Sequence, residues 1–290
     1  MATHRQWIEG ARPRTLPAAT APVLIGSGAA ALANAFSFPR ALLALAVALA
    51  LQVGVNFAND YSDGIRGTDV NRVGPLRLTA SELARPWHVK AAALGAFATA
   101  SLFGLALTWI SGHWWLLAVG AACVAAAWFY TGGRKPYGYA GLGEAGVFVF
   151  FGLVATLGTT FTQADRLTWP ALLGAVGVGL IACALLMINN IRDLPNDLLA
   201  GKHTLAVRLG DFRARQLYLA AIWIPLLIGA VLTIWAPWSL LVMLLLLPAA
   251  LLTLPVRAGL TGPALVPSLM GTGMYELAYG ILLAIGLALG

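Results

Sequence analysis

Long apolar stretches alternate with short polar connections along the whole chain, each stretch close to the ~20 residues that cross a bilayer core as a helix. They fall at 15–33, 39–59, 88–110, 114–131, 142–162, 168–190, 214–235, 238–255 and 264–288. The pattern predicts an all-α, polytopic membrane protein of about nine transmembrane helices, forming a single transmembrane domain over 1–290. Composition agrees: 60% hydrophobic, 10% charged and a mean hydropathy of +0.82 lie outside the range of soluble domains. The first span follows a polar, arginine-bearing segment and lacks a short apolar core with a cleavage site. It is therefore expected to be a helix of the mature chain.

Charge gives the pattern an orientation. With the N-terminus cytoplasmic, only Arg40 and Arg166 of the 18 Lys and Arg fall on the outer side, leaving sixteen inside. This bias places the chain in the cell (plasma) membrane as a multi-pass protein, with its basic loops toward the cytoplasm. The net charge of +7 then reflects topology and an anionic ligand. Nucleic-acid binding is a poor explanation, because the charges sit in membrane-flanking loops without a recognition motif. Cys123 and Cys183 fall inside spans without metal-ligand spacing and are expected to be buried, inert thiols.

Two polar clusters break the apolar pattern. Asn56, Asp60 and Asp63 follow one another at i, i+4 and i+7, and Asn189, Asp193 and Asp197 at i, i+4 and i+8. Each set lines one side of a helix or its end. Carboxylates beside lipid are costly, and paired clusters of them suit divalent cations, which in turn hold phosphate. The first cluster closes the second span and the second closes the sixth, suggesting two four-helix halves with a ninth helix added.

Long connections, 61–87 and 192–212, directly follow these clusters. They and the segment Tyr130-Thr-Gly-Gly-Arg-Lys-Pro-Tyr-Gly138 combine glycine, hydroxyls and cations. Glycine admits close backbone approach to an anion, and Lys or Arg neutralises it. Ordinary positive-inside anchoring explains any one such loop; three on the face of two carboxylate clusters favour a diphosphate. Lys135 and Lys202, with Arg77 and Arg208, are the candidate leaving-group contacts. Phe57, Tyr61, Trp128, Phe129, Tyr130, Phe148 and Phe151 are candidate walls for a carbocation. Glu276, inside the last span, is expected either to hydrogen-bond a neighbouring helix or to serve the active site. Glu144 stands near the Lys135 loop as a ligand, an orienting partner or a helix N-terminal charge. Gly141-Leu-Gly-Glu-Ala-Gly146 matches a dinucleotide fingerprint only formally, since no strand precedes it.

These motifs together resemble the UbiA superfamily of intramembrane prenyltransferases. Within it, Ala11-Arg-Pro-Arg-Thr-Leu-Pro17, Asn59-Asp-Tyr-Ser-Asp63, the 130–138 segment, Asn189-Asn-Ile-Arg-Asp193 and Gly201-Lys-His-Thr-Leu-Ala-Val-Arg-Leu-Gly210 look like the branch that prenylates 1,4-dihydroxy-2-naphthoate. The resemblance runs from residue 11 to about 210. It implies Mg2+ held by Asn56, Asp60, Asp63, Asn189, Asp193 and Asp197, gripping a polyprenyl diphosphate. It also implies an aromatic acid as acceptor, losing its carboxylate as carbon dioxide. Arg134 departs from the expected neutral or proline residue, so Lys135 is preferred over it. Arg12 and Arg14, just ahead of the first span, either anchor the chain at the bilayer or bind the acceptor's carboxylate. The alternatives are another acceptor, hydroxybenzoate or homogentisate, and a cation-coupled transporter. Against the transporter, the clusters end their helices at one membrane face and not at the midplane.

Overall fold

A computed structural model of the protein describes residues 2–67 and 76–290. Thr68, Asp69, Arg72, Gly74 and Pro75 of the first basic loop lie outside the described residues. All secondary structure among the described residues is helical. A short amphipathic helix, α1 (His4–Ala11), is closed by a capping box between Thr3 and Gln6. It leads into α2 (Leu16–Leu32), α3 (Phe38–Arg66), α4 (Pro86–Ser111) and α5 (Leu116–Phe129). There follow α6 (Gly143–Ala164), α7 (Trp169–Leu199), the short α8 (Leu205–Leu209), α9 (Asp211–Leu232), α10 (Pro237–Arg257) and α11 (Gly262–Ala288).

Eight helical stretches among the described residues are long and apolar enough to cross a membrane. The all-α polytopic expectation holds. The ninth expected span, 114–131, is shorter than its apolar run: α5 has 14 residues, a rise of about 21 Å against a core of about 30 Å. The acidic clusters also sit differently from the expectation that they end their helices. Helix α3 continues to Arg66 and α7 to Leu199, so both clusters lie within helical turns that run past the apolar zone. Gly67, at φ +70°, stops α3 in the left-handed conformation that glycine adopts without strain.

Helix α7 is the central element. Its apolar window is 61% buried, against 22% for α4, which leaves most of its surface exposed. Around it pack α6, α9 and α11, with α2 wedged against α11. Small residues set these distances. A Cβ on Gly152 of α6 would stand 2.6 Å from the Cα of Gly179 on α7, and one on Gly280 would stand 2.7 Å from Ala21 of α2. Without a hydrophobic drive between helices in lipid, this close van der Waals approach is what holds them.

The two cations assigned to the outer side share one task there. Arg40 donates to the carbonyls of Thr162 (2.9 Å) and Ile110 (3.2 Å), and Arg166 to that of Ala33 (3.1 Å). All three carbonyls lie at helix C-terminal ends, where acceptors lack partners and positive charge is favoured.

Candidate active site

On the face carrying the acidic clusters, a cavity of about 1190 Å³ opens between α2, α3, α6, α7, α11 and the loops at 130–139 and 200–204. Its polar end is lined by Asn59 and Asp63 from α3 and by Asn189, Arg192, Asp193 and Asp197 from α7. Arg12, Arg14, Arg77, Tyr130, Tyr139 and Lys202 complete that end, while Val147, Phe151, Leu185, Leu269, Met270 and Met274 make an apolar wall.

Helix phase decides which members of the first cluster face this space. Asn59 and Asp63, four residues apart, share a stripe that lines it. Thr131 Oγ1 donates to Asn59 Oδ1 at 2.8 Å. Asp63 accepts from the Tyr139 hydroxyl and pairs with Arg77 at 3.5 Å. Asn56 and Asp60 occupy the neighbouring stripe. Asp60 is fully buried, and its two oxygens accept the backbone N–H groups of Leu78 (2.7 Å) and Thr79 (2.9 Å). Asn56 donates to the Ala11 carbonyl and to Thr15 Oγ1, both at 2.9 Å, tying α3 to the entry of α2. Neither Asn56 nor Asp60, both expected as cation ligands, lines this cavity, whereas Asn59 does.

The second cluster faces the cavity as expected, with Asn189, Asp193 and Asp197 all in its lining. Arg192, read from the sequence only as one of the inside cations, is bound into it. Its Nε and Nη2 reach the two oxygens of Asp193 at 2.7 and 2.6 Å, and Nη2 also donates to Asn189 Oδ1 at 2.9 Å. Such a fork is the geometry guanidinium offers an oxyanion.

Among the expected leaving-group cations, Lys202 and Arg77 are buried in the lining, whereas Lys135 and Arg208 are exposed outside it. Arg208 lies over Gly141 and donates to the His203 carbonyl at 3.3 Å. Tyr139, which sequence reasoning missed, joins the loops. Lys202 Nζ sits 4.7 Å from its ring centroid, its hydroxyl holds Asp63, and its carbonyl accepts from His203 N at 3.0 Å. The 130–138 segment doubles back on itself, with Gly138 N donating to the Tyr130 carbonyl at 3.0 Å. A Cβ at Gly138 would stand 2.7 Å from that oxygen, so the close crossing requires glycine.

Of the proposed aromatic walls, Tyr130 and Phe151 line the cavity. Phe57 packs on Trp7 at 5.7 Å, Tyr61 on Trp128 at 6.3 Å, Phe148 against Gly179, and Phe129 is exposed. Tyr130 meets Tyr137 edge-on at 5.4 Å, and burial pushes the Tyr137 hydroxyl up to about 12, so it stays a neutral phenol. Arg12 lines the cavity from a left-handed backbone, φ +55°, where its amide donates to the Glu9 carbonyl and ends α1. A left-handed residue is a common helix terminus, and a non-glycine residue adopts it at a cost of order 1–3 kcal/mol. Cys123 and Cys183 are half-buried free thiols. Glu276 is fully buried in α11, and neither carboxylate oxygen has a partner among the described residues, contrary to the expected interhelical bond.

Among the described residues, no three His, Cys, Asp or Glu side chains group closely enough to form a metal cage. The donors lining the polar end are nevertheless all oxygens, from Asn59, Asp63, Asn189, Asp193 and Asp197. A hard cation such as Mg2+ needs only one or two carboxylates, completing its shell with water and substrate phosphate, so the donor set fits it.

The family model for UbiA prenyltransferases matches residues 19–260. The chain belongs to the UbiA prenyltransferase family. It is 53% identical to the 1,4-dihydroxy-2-naphthoate octaprenyltransferase of Mycobacterium tuberculosis, covering 100% of this chain and 99% of that one. It is 38% identical to the Escherichia coli protein of the same name, over 87% of this chain and 83% of that one. Among solved structures, a UbiA homologue from Archaeoglobus fulgidus bound to GPP and Mg2+ superimposes with a TM-score of 0.68 at 14% identity, covering 97% and 99% of the two chains. The apo UbiA homologue from Aeropyrum pernix K1 gives 0.70 at 16%, covering 92% and 96%. Membership of a prenyltransferase family favours the enzyme over the transporter weighed from sequence.

For this UbiA member, the cavity geometry separates two lysines that sequence treated alike. Lys202→Ala should lower turnover by at least tenfold, since it removes a buried point charge from the polar end. Lys135→Ala should stay within about twofold of the parent, as expected of an exposed anchor. Initial rates of prenyl transfer, with both variants at equal protein, check this.

Proposed function

We propose that this protein transfers a polyprenyl group from polyprenyl diphosphate to 1,4-dihydroxy-2-naphthoate, with loss of the acceptor's carboxylate as carbon dioxide. The observation that carries the reading is one amphipathic cavity. Carboxylates from two helices and buried cations share its polar end, and its other wall is apolar. The relatives named for this reaction at 53% and 38% identity support the choice of acceptor.

The diphosphate lies at the polar end, between α3 and α7. Asp63, Asp193 and Asp197, with Asn59 and Asn189, would hold Mg2+, which when bound supplies charge neutralisation to the diphosphate. Lys202, Arg77 and Arg192 face the same end and stabilise negative charge as it develops on the leaving group. The polyprenyl chain follows the apolar wall of Val147, Phe151, Leu185 and Leu269 toward the lipid bilayer. Tyr130 and Phe151 offer π faces to the allylic cation as the carbon–oxygen bond breaks, and the apolar wall beside them limits the approach of water. The electron-rich ring of the acceptor then forms the new carbon–carbon bond. The enzyme sits in the plasma membrane with its N-terminus and active site toward the cytoplasm, an orientation supported by the distribution of Lys and Arg.

The acceptor's carboxylate is placed by Arg12, from its strained position on the rim, with Arg14 beside it. Arg12→Ala should raise the Michaelis constant for the aromatic acid by about tenfold or more, the value of a lost charged hydrogen bond. The constant for polyprenyl diphosphate should change little. Steady-state kinetics with radiolabelled polyprenyl diphosphate and a panel of dihydroxynaphthoate, hydroxybenzoate and homogentisate test both parts. Preference for either other acid would overturn the choice of acceptor. Equal effects of Arg12→Ala on both Michaelis constants would make this arginine a membrane anchor.

A further inference from the structure

One carboxylate at the cavity has no part in the roles above. Glu144 lies in the first turn of α6, and Val147 follows it at i+3 on the same side of that turn. Val147 and Phe151 line the cavity. Glu144 is only 6% exposed. Its Oε1 accepts a hydrogen bond from Asn190 Nδ2 at 3.0 Å, and its Oε2 is buried with no partner among the described residues. The turn is fixed from below, where Cys183 of α7 donates to the Glu144 carbonyl at 3.2 Å. The amides of the helix's first turn favour negative charge at this position, which offsets part of the cost of burial.

Asn190 is 7% exposed and lines the cavity between Asn189 and the apolar wall. Its orientation follows from its partner. Asn190 Nδ2 faces Glu144 Oε1, so the NH2 is the end of the amide held by that contact. That leaves Oδ1, an acceptor, as the atom it presents to the cavity. A buried acceptor locked in one orientation, at the junction of polar and apolar walls, matches a hydroxyl on a flat apolar ring. It offers nothing to a diphosphate, which is itself an acceptor.

We propose that the Asn190–Glu144 pair recognises a ring hydroxyl of the aromatic acceptor. Asn190 Oδ1 accepts its hydrogen bond, and Glu144 is the positioning residue that keeps the amide from flipping. The inference rests on the functional reading above and adds the group that distinguishes a hydroxylated aromatic acid from a bare one. A site built to pair a hydroxyl rejects an analogue lacking it, because the buried acceptor is then left unmet.

The test measures competitive inhibition against 1,4-dihydroxy-2-naphthoate by three probes: 2-naphthoate, 1-hydroxy-2-naphthoate and 4-hydroxy-2-naphthoate. The parent protein should bind at least one hydroxylated probe about tenfold tighter than 2-naphthoate. Glu144→Gln keeps the shape but can donate to Asn190, freeing the amide to turn; it should erase most of that preference. The inhibition constant for 2-naphthoate and the Michaelis constant for polyprenyl diphosphate should stay near the parent values, which a merely structural defect would not allow. Asn190→Ala should lose the same preference, and it decides the matter if Glu144→Gln does not fold. Preference retained in a folded Glu144→Gln or Asn190→Ala protein overturns the inference and leaves the functional reading intact. A parent protein that does not prenylate 1,4-dihydroxy-2-naphthoate overturns both, and does so before any variant is made.

Discussion

Asp193→Asn should lower the rate of prenyl transfer by well over a hundredfold while leaving the thermal transition of the purified protein within a few degrees of the parent. The asparagine keeps the shape and one acceptor oxygen but removes the charge that a divalent cation needs, and loss of a first ligand should exceed the ~10–100-fold typical of outer contacts. Asp193 is also held by Arg192 through two short bonds at 2.7 and 2.6 Å, so the change leaves that buried guanidinium without its counter-charge. Some destabilisation follows from this, but much less than the loss of rate. Asp63→Asn should behave alike, since Asp63 faces the cavity from α3 with Tyr139 and Arg77 as its partners. A variant of either residue with near-parental rates would mean that the cavity's carboxylates do not bind the reacting group.

Asp60→Ala should have the opposite signature. Its carboxylate accepts two buried backbone N–H groups, of Leu78 and Thr79, and Leu78 is itself fully buried. Removing the acceptor leaves both donors unmet at about 1–3 kcal/mol each. The loop that carries Arg77 to Asp63 then loses its anchor, so stability and turnover should fall together. Thermal unfolding in detergent, run beside rate measurements, separates the two aspartates. A stable Asp60→Ala protein that is nonetheless inactive would return Asp60 to the cation site.

The contrast between these neighbours shows what the sequence could and could not express. The nine apolar runs, the two carboxylate clusters and the basic loops between them were legible because each rests on period or composition. The phase of the first cluster was not. Asn56 with Asp60 and Asn59 with Asp63 both keep a spacing of four, and only the packing of α1 and the loop at 76–80 decides which pair faces inward. Lys135 and Lys202 are equally basic, and both follow glycine in a basic loop. Irregular loops have no period, so the fold alone buries one and exposes the other. Helix ends were misplaced for a related reason. An apolar window stops at the first charged residue, whereas the backbone of α3 and α7 continues through Arg66 and Leu199. Tyr139 left no signal, because one tyrosine in a loop does not announce that a cation and a carboxylate will meet on it.

The central claim is that this cavity transfers a prenyl group with the help of an oxygen-bound divalent cation. Purified protein freed of metal by exhaustive EDTA treatment, then supplied with radiolabelled polyprenyl diphosphate and 1,4-dihydroxy-2-naphthoate, tests it most directly. The account predicts no prenylated product until Mg2+ is returned, and recovery of the original rate once it is. Undiminished transfer in the chelated protein would contradict it.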